Sequence, residues 1–401
     1  MSPTAVLPVL PPHTATNMNV EELFSLLEQQ QARKLDLVVP AHRIRTENGY
    51  LRIQDITADD LPPATIEQLI TVDGVADLNG LYLPNASADA DLAEKFKIPV
   101  SYLRRCRTEN LALYDANLNS WTHQDNRRVL IRAMWGGDPH APSSKGIVRA
   151  VLSDEYQIGD HHDRALSFLE GMQLAGLGAN NIRAAHLSEN RLYIDVEAPQ
   201  IEVMAYDLLK DYRSPFTGES GLDCPVVYSG LLFSNSETGH GRTVITPKII
   251  VKVCGNGVTL NAAAKAKRHQ GGRLDEGLVD YARDTRAADA KARSFEVRDT
   301  VRTFLSTQFL SRQVEEISKI AQVQLSKPSD TIDVVQQRLG FSKSERDGIL
   351  DHFIRGADSK AGGVLHAVTS FAQTIAESDI DRSFDLEAQA IPAMRIAAAG
   401  R

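Results

Sequence analysis

The sequence predicts an α+β protein, on three observations. Residues 128–205 hold several strand-like runs with a single helix among them. Residues 224–254 read as one long β-hairpin, and from Leu274 onward apolar residues recur at helical steps. Strands with one interposed helix do not make the repeated βαβ pattern of a parallel sheet, so an antiparallel hairpin sheet packed with helices, followed by a mainly helical region, is expected. The boundaries that follow are a disordered tail over 1–17, an α+β core over 18–272 and a helical C-terminal region over 273–401.

The elements are justified in order. The opening MSPTAVLPVLPPHTATNMN has four prolines and no basic residue ahead of an apolar run, which reads as a tail and not as a signal peptide. VEELFSLLEQQQARK sets Val20, Leu23, Phe24 and Leu27 on one helical face, and LDLVVP and GYLRIQDI suggest two strands. LPPATIEQLITV, with prolines suited to a first turn, predicts a short helix. DADLAEKFKIPVSYLRRCR predicts two short helices with a turn at Ile98-Pro99. Its Leu92, Ala93, Phe96, Ile98 and Leu103 resemble the apolar skeleton of a helix-turn-helix, with Arg104, Arg105 and Arg107 on the second helix, although an ordinary helix pair on a sheet has the same pattern.

RVLIRAMW, GIVRAVLS, RLYIDVEA and IEVMAY are strand candidates, and DRALSFLEGMQLAGLG is a helix that ends in glycines. CPVVYSGLLFSNSETGHGRTVITPKIIVKVC gives two β-rich arms around a polar turn. On the second arm Ile249, Val251 and Val253 alternate with Lys248, Ile250 and Lys252, which predicts one apolar and one partly cationic face. Pro247 predicts an edge or a bulge. Beyond it, Val301, Phe304, Leu305, Phe309, Val314, Ile317 and Ala321 predict a long helix or a broken pair, which SKPSD at 326–330 interrupts.

The 401 residues are 42% hydrophobic and 24% charged, ordinary material for a buried core in two units or in one with a large appendage. Three cysteines, Cys106, Cys224 and Cys254, form no CxxC pair, so neither a disulfide framework nor a zinc knuckle is indicated. No run of 18 apolar residues occurs, so no membrane helix is expected, and the setting expected is cytoplasmic. Net charge is −8. It is unevenly spread, because residues 252–312 hold twelve Lys or Arg against seven Asp or Glu, a local +5 that leaves −13 elsewhere.

That basic stretch begins KVCGNGVTLNAAAKAKRHQGG, where the hairpin gives way to the helical half. Gly255 and Gly257 around Asn256 permit a tight turn with backbone amides pointing outward, and Lys252, Lys265, Lys267, Arg268, His269 and Arg273 supply positive charge near the hairpin base. The combination suits phosphates, while GNG is neither GxGxxG nor a Walker lysine loop. A solvated basic helix face is the plain alternative. Tyr281 and Phe295 are the aromatics nearest the patch, and their scarcity favours phosphate over base contact.

DEYQIGDHHD gathers Asp154, Glu155, Asp160, His161, His162 and Asp163. Adjacent histidines do not readily share an ion and the i, i+4 pairing is absent, so loop chemistry or an Asp capping a helix near Arg164 is expected in place of a metal site. Cys224, His240, Cys254 and His269 match no zinc spacing. No nucleophile elbow, HExxH or recognisable carboxylate pair occurs, so no catalytic residue, metal or cofactor is assigned and a non-enzyme is favoured.

The order YLRRCRTENLALYDANLNSW, GIVRAVLSDEYQIGDHHD, FSNSETGHGRTVITPKIIVKVCGNGVTLN, RHQGG and SFAQTIAESDIDRSFDLEAQA, from about residue 85 to 390, resembles the phage- and plasmid-like family catalogued as domain of unknown function nine-three-two. In that family the hairpin turn looks like NSxDGxxA and the exit like CxNxL followed by RH. Here the turn is SNSETGHG, with Glu237-Thr238 where the family has Asp, which puts a strict role for that acid in doubt. The resemblance implies a mobile-element origin and an intracellular site of action, and names no reaction.

Three functions follow as expectations. The first is binding or annealing of single-stranded DNA through the hairpin-base patch by a protein that self-assembles, by analogy with phage annealing proteins that set a hairpin sheet against helices. The second is a protein-binding phage factor acting on a host defence or restriction system. The third is a nucleotide-binding enzyme with the Gly255 turn as phosphate cradle.

Overall fold

In the computed structural model, the residues described are 10–55, 70–71, 74–75, 79–136, 145–154, 156, 159–253, 255, 257–260, 265–267 and 283–400. The fold is α+β, built on two sheets with helices against both, and the C-terminal region is all helices. The short helix expected over LPPATIEQLITV falls largely outside the described residues.

The chain opens with strand β1 (Ala15–Met18), which shortens the expected tail, and helix α1 (Val20–Gln31). Asn19 and Glu22 form a reciprocal capping box at the start of α1. Strands β2 (Lys34–Pro40), β3 (Arg45–Glu47), β4 (Tyr50–Ile53) and β7 (Gly80–Pro84) follow, with the two-residue β5 (Ile70–Thr71) and β6 (Gly74–Val75) paired to each other between them. Three helices come next: α2 (Ala86–Lys95), α3 (Val100–Glu109) and α4 (Leu111–Thr122). Strands β8 (Arg128–Trp135) and β9 (Gly146–Ser153) complete a six-stranded sheet ordered β2-β8-β9-β7-β4-β3, with β7 and β9 parallel. The expected helix pair is present with its turn at Ile98-Pro99, and Leu92, Ala93, Phe96, Ile98 and Leu103 are buried in the core beneath this sheet.

Helix α5 (His161–Leu174) leads into β10 (Ile182–Leu187), β11 (Leu192–Met204) and the single turn α6 (Tyr206–Leu209). Gly176 follows α5 at φ +93°, the left-handed position where glycine ends a helix without strain. The two strand candidates RLYIDVEA and IEVMAY are one strand, interrupted by a register shift between Ala198 and Glu202. The hairpin is β12 (Val226–Asn235) and β13 (Thr243–Val251), in continuous register from Val227↔Val251 to Ser234↔Val244.

Two short strands line the far side of β13. These are β14 (Gly257–Thr259), paired at Lys248–Ile250, and β15 (Lys265–Lys267), paired at Thr243–Ile245. Pro247 falls in the gap between them, where its missing N–H costs no ladder bond, and its carbonyl accepts from Leu260 N–H at 2.8 Å. It marks neither a bulge nor an outer edge. With β1 and β10–β12 these strands form the second, seven-stranded sheet.

The helical half runs α7 (Arg283–Phe304), α8 (Thr307–Ala321), α9 (Pro328–Leu339), α10 (Lys343–Gly356), α11 (Ala361–Ile375) and α12 (Ile380–Ala399). The break between α7 and α8 is capped by Ser306, and Pro328 opens α9 at its first turn. Two cores meet the second sheet. Near the hairpin turn, Leu231, Phe233 and Ile245 pack with α1, α5, Val301 and Phe304. At the hairpin base, Val227, Ile249, Val251 and Val258 pack with the C-terminal helices.

Candidate nucleic-acid interface

The strand register separates the residues expected to form one patch. Lys252 lies at the hairpin base, whereas Lys265 and Lys267 pair with Ile245 and Thr243 at the turn end. Lys252 is seven positions from Ile245 along the strand, or about 24 Å at roughly 3.4 Å per residue. A single patch at the hairpin base is therefore not what the backbone builds. Lys252 is exposed and salt-bridged to Glu202 at 2.8 Å. Asn256, Arg268, His269 and Arg273 lie outside the described residues.

The glycine turn also differs from an open cradle. Gly255 does take a left-handed φ of +66°, yet its N–H donates back to Val251 at 2.8 Å and its carbonyl lies 3.5 Å from Arg183 Nη1. Gly257 is buried in β14 against the Lys248 side chain. Neither glycine follows the outward-amide geometry that a phosphate cradle requires.

Lys248 belongs to no cationic surface. It is 2% exposed, and its ammonium meets Asp195 at 3.0 and 3.1 Å and Glu387 of α12 at 3.4 Å. Burial opposes its charge, but Asp195 and Glu387 outweigh burial and raise its pKa. Burial holds the Glu387 carboxyl above its ordinary range, with Asp195 adding to it, so the Asp195–Lys248 contact is the ion pair proper. The partly cationic face of β13 is thus a charge pinned beneath α12.

At the other end of the hairpin, the polar turn is docked into the first sheet. Asn235, Ser236, Glu237 and Thr238 are all buried. The Glu237 carboxylate accepts from Arg149 Nη1 and from the His161 backbone N–H (2.9 Å), while its carbonyl accepts from Arg132 Nη1 at 2.7 Å. Arg132 is also held by Asp36 at 2.8 Å and Asp160 at 2.6 Å, and Lys34 bonds Asp160 at 2.5 Å. Three cations face three carboxylates, so the buried network is neutral as a whole.

Burial opposes every one of these charges. The three carboxylates nonetheless raise Arg132 well above its usual value. Glu237 sits well below the carboxylate range because His161, Arg149 and Arg132 outweigh burial. Burial pushes His161 down to about 4, so it is neutral at pH 7 and the two arginines carry that effect. This network absorbs much of DEYQIGDHHD. Asp160 stands before α5 without a side-chain capping bond, because its oxygens serve Lys34 and Arg132, and the helix starts at His161 instead of near Arg164. Among the described residues no group of three His, Cys, Asp or Glu is placed to hold a metal ion.

Of the three arginines on α3, Arg107 turns inward. It pairs with Asp89, donates to Tyr114 Oη at 2.6 Å and lies over the Tyr114 ring. Arg105 pairs with Glu109 at 2.8 Å. A helix that reads base edges needs those side chains free, and α3 does not offer them as a set.

A further cationic group lies on α7. Ile245, the register partner of Lys265, packs in the same core as Val301 and Phe304 of α7. On the outer surface of α7 the exposed ring of Phe295 has Lys291 Nζ at 5.9 Å and the Arg298 guanidinium at 4.9 Å from its centroid. The spacings are i, i+4 and i, i+3, which place all three on one side of the helix. The spacing was legible in the sequence.

No protein-family model, curated protein or solved structure matches this chain. Among the described residues no helix is long and apolar enough to cross a membrane.

Proposed function

We propose that this protein binds single-stranded nucleic acid through the basic and aromatic residues of α7 together with the basic strand β15. The observation that carries the reading is the Phe295 ring flanked by Lys291 and Arg298, an exposed aromatic with a cation on each side. Backbone-tracking charge beside an aromatic platform is how single strands are held without reading sequence. The Lys265–Lys267 strand adds basic residues at the edge of the second sheet. Phosphate contact remains the larger part, as the +5 excess over residues 252–312 suggests, and Phe295 adds a stacking position. The reading accords with the mobile-element origin that the family resemblance implies, and self-assembly along the strand belongs to the same proposal.

The test is fluorescence anisotropy with a labelled oligothymidine, comparing wild type with Phe295→Ala. Loss of a stacked base costs about 1–3 kcal/mol, so the variant should bind roughly 5- to 150-fold more weakly. Equal affinity of the two proteins, or no binding by wild type at low salt, would refute the reading.

A further inference from the structure

A second concave site lies on the first sheet. A cavity of about 270 Å³ opens where the first residues of β8 meet the end of β9 beside the C-terminus of α2. Lys95, Arg127 and Arg128 line it together with Phe96, Ser153 and Asp154. Three cations and one carboxylate line it, and Asp125 pairs with Arg127 at its margin.

Lys95 and Arg128 have no ion-pair partner among the described residues. Arg128 Nη2 donates to the Val38 carbonyl at 2.9 Å, and Arg127 Nη2 donates to the Lys95 carbonyl at 3.2 Å. Arg127 also binds Asp125, its one carboxylate partner, through Nε and Nη2. A guanidinium has five donors, so both arginines keep N–H groups to offer. Lys95 is half-buried. Burial lowers its pKa and the like charge of Arg127 adds to that, against the opposing carboxylates of Asp91, Glu94 and Asp154. A cation at a helix C-terminus is favoured by the helix dipole, which accounts for Lys95 alone. It does not account for two arginines brought to the same recess from the adjoining strand.

We infer that this recess binds a phosphate group, with Lys95 and Arg127 as its principal contacts and Arg128 and the Ser153 hydroxyl at its rim. The volume falls just below the range of about 300–1,000 Å³ usual for drug-sized ligands, so the site fits a single phosphate with part of what it esterifies, not a whole nucleotide. Arginine's planar fork and a lysine point charge are the usual pair for such an oxyanion.

The experiment is isothermal titration calorimetry of the full chain with inorganic phosphate, at constant ionic strength set by chloride. Wild type should bind one phosphate per chain, and Lys95→Gln and Arg127→Gln should each weaken it by about tenfold or more, the loss of one charge-assisted contact. Lys95→Arg, which preserves charge, should retain binding and guards against loss by misfolding, with circular dichroism as a second check. Replacing Lys265, Lys267 and Arg268 together by alanine should leave phosphate binding intact, since Lys265 and Lys267 belong to the other sheet. A saturating oligothymidine then distinguishes the sources. Competition with phosphate marks a nucleic-acid backbone as the natural occupant and independence marks a free phosphate or phosphomonoester, and either upholds the site. Absence of phosphate binding by wild type, unchanged affinity in folded Lys95→Gln and Arg127→Gln, or loss of binding in the alanine triple variant would overturn it.

Discussion

Replacing Glu237 by glutamine keeps the shape of the hairpin turn and removes one of six balanced charges. The Glu237 carboxylate accepts from Arg149 and from the His161 backbone N–H, and all three residues are buried. A glutamine oxygen can serve one of those donors, and its amide then faces the other, donor against donor. Arg149 is left as a buried cation with no carboxylate. Breaking a buried pair by removing one partner costs about 3–5 kcal/mol, and that is the loss expected in urea unfolding at pH 7. The cost should be shared with the arginine. Adding Arg149→Met to Glu237→Gln should recover about 2 kcal/mol relative to the sum of the single variants, since the stranded charge is gone. A loss below about 1 kcal/mol for Glu237→Gln, which is the scale of an exposed pair, would refute the claim that the turn is anchored by a desolvated ion pair.

Two further outcomes concern the second sheet and its helices. His366 is buried, stacked on Tyr212 with its Nε2 at 3.3 Å from the Leu208 carbonyl, and burial lowers its pKa from 6.5 to about 4. Because the folded value is depressed, the unfolded chain takes the proton first, and the stability tied to neutral His366 is lost as pH falls from about 6.5 toward 4. Between pH 7 and 5 that loss is about 2 kcal/mol, so His366→Gln should flatten the pH profile of urea stability by this amount, and parallel profiles would contradict the assignment. Gly257→Ala would set its Cβ 2.5 Å from Lys248 Cε and 2.8 Å from Nζ. Asp195 and Glu387 prevent that lysine from moving aside, so thermal unfolding should show about 1–3 kcal/mol of destabilisation, and an unchanged midpoint would mean that Lys248 is not clamped.

Local chemistry was legible in the sequence wherever one segment sufficed to specify it. The hairpin arms, the helix pair with its turn at Ile98-Pro99, and the glycine stop after α5 all follow from periodicity and turn residues within a few positions. Interactions across long separations were not legible. The alternation around Lys248 reads as a cationic face because its partners, Asp195 and Glu387, are 53 and 139 positions away, and only the fold brings them under it. The turn SNSETGHG reads as a solvent loop for the same reason, since the arginines that receive Glu237 come from β8 and β9, 105 and 88 positions upstream. The site shifted in the same way. The sequence joins Lys252 to Lys265 and Lys267 by proximity along the chain, while the register sends the two groups to opposite ends of β13.

The central proposal is that the basic segment beginning at Lys265 grips a nucleic-acid backbone. Its most direct test is the salt dependence of oligothymidine binding by wild type and by the triple variant Lys265→Ala, Lys267→Ala and Arg268→Ala, with circular dichroism as the folding control. Each phosphate contact on a single strand contributes about −0.7 to the slope of log affinity against log salt, so loss of three should reduce its magnitude by about two. Weakening should be alike for every oligonucleotide sequence, as phosphate contacts carry no base information. A folded triple variant with the wild-type slope would contradict the account and leave this segment a solvated basic strand.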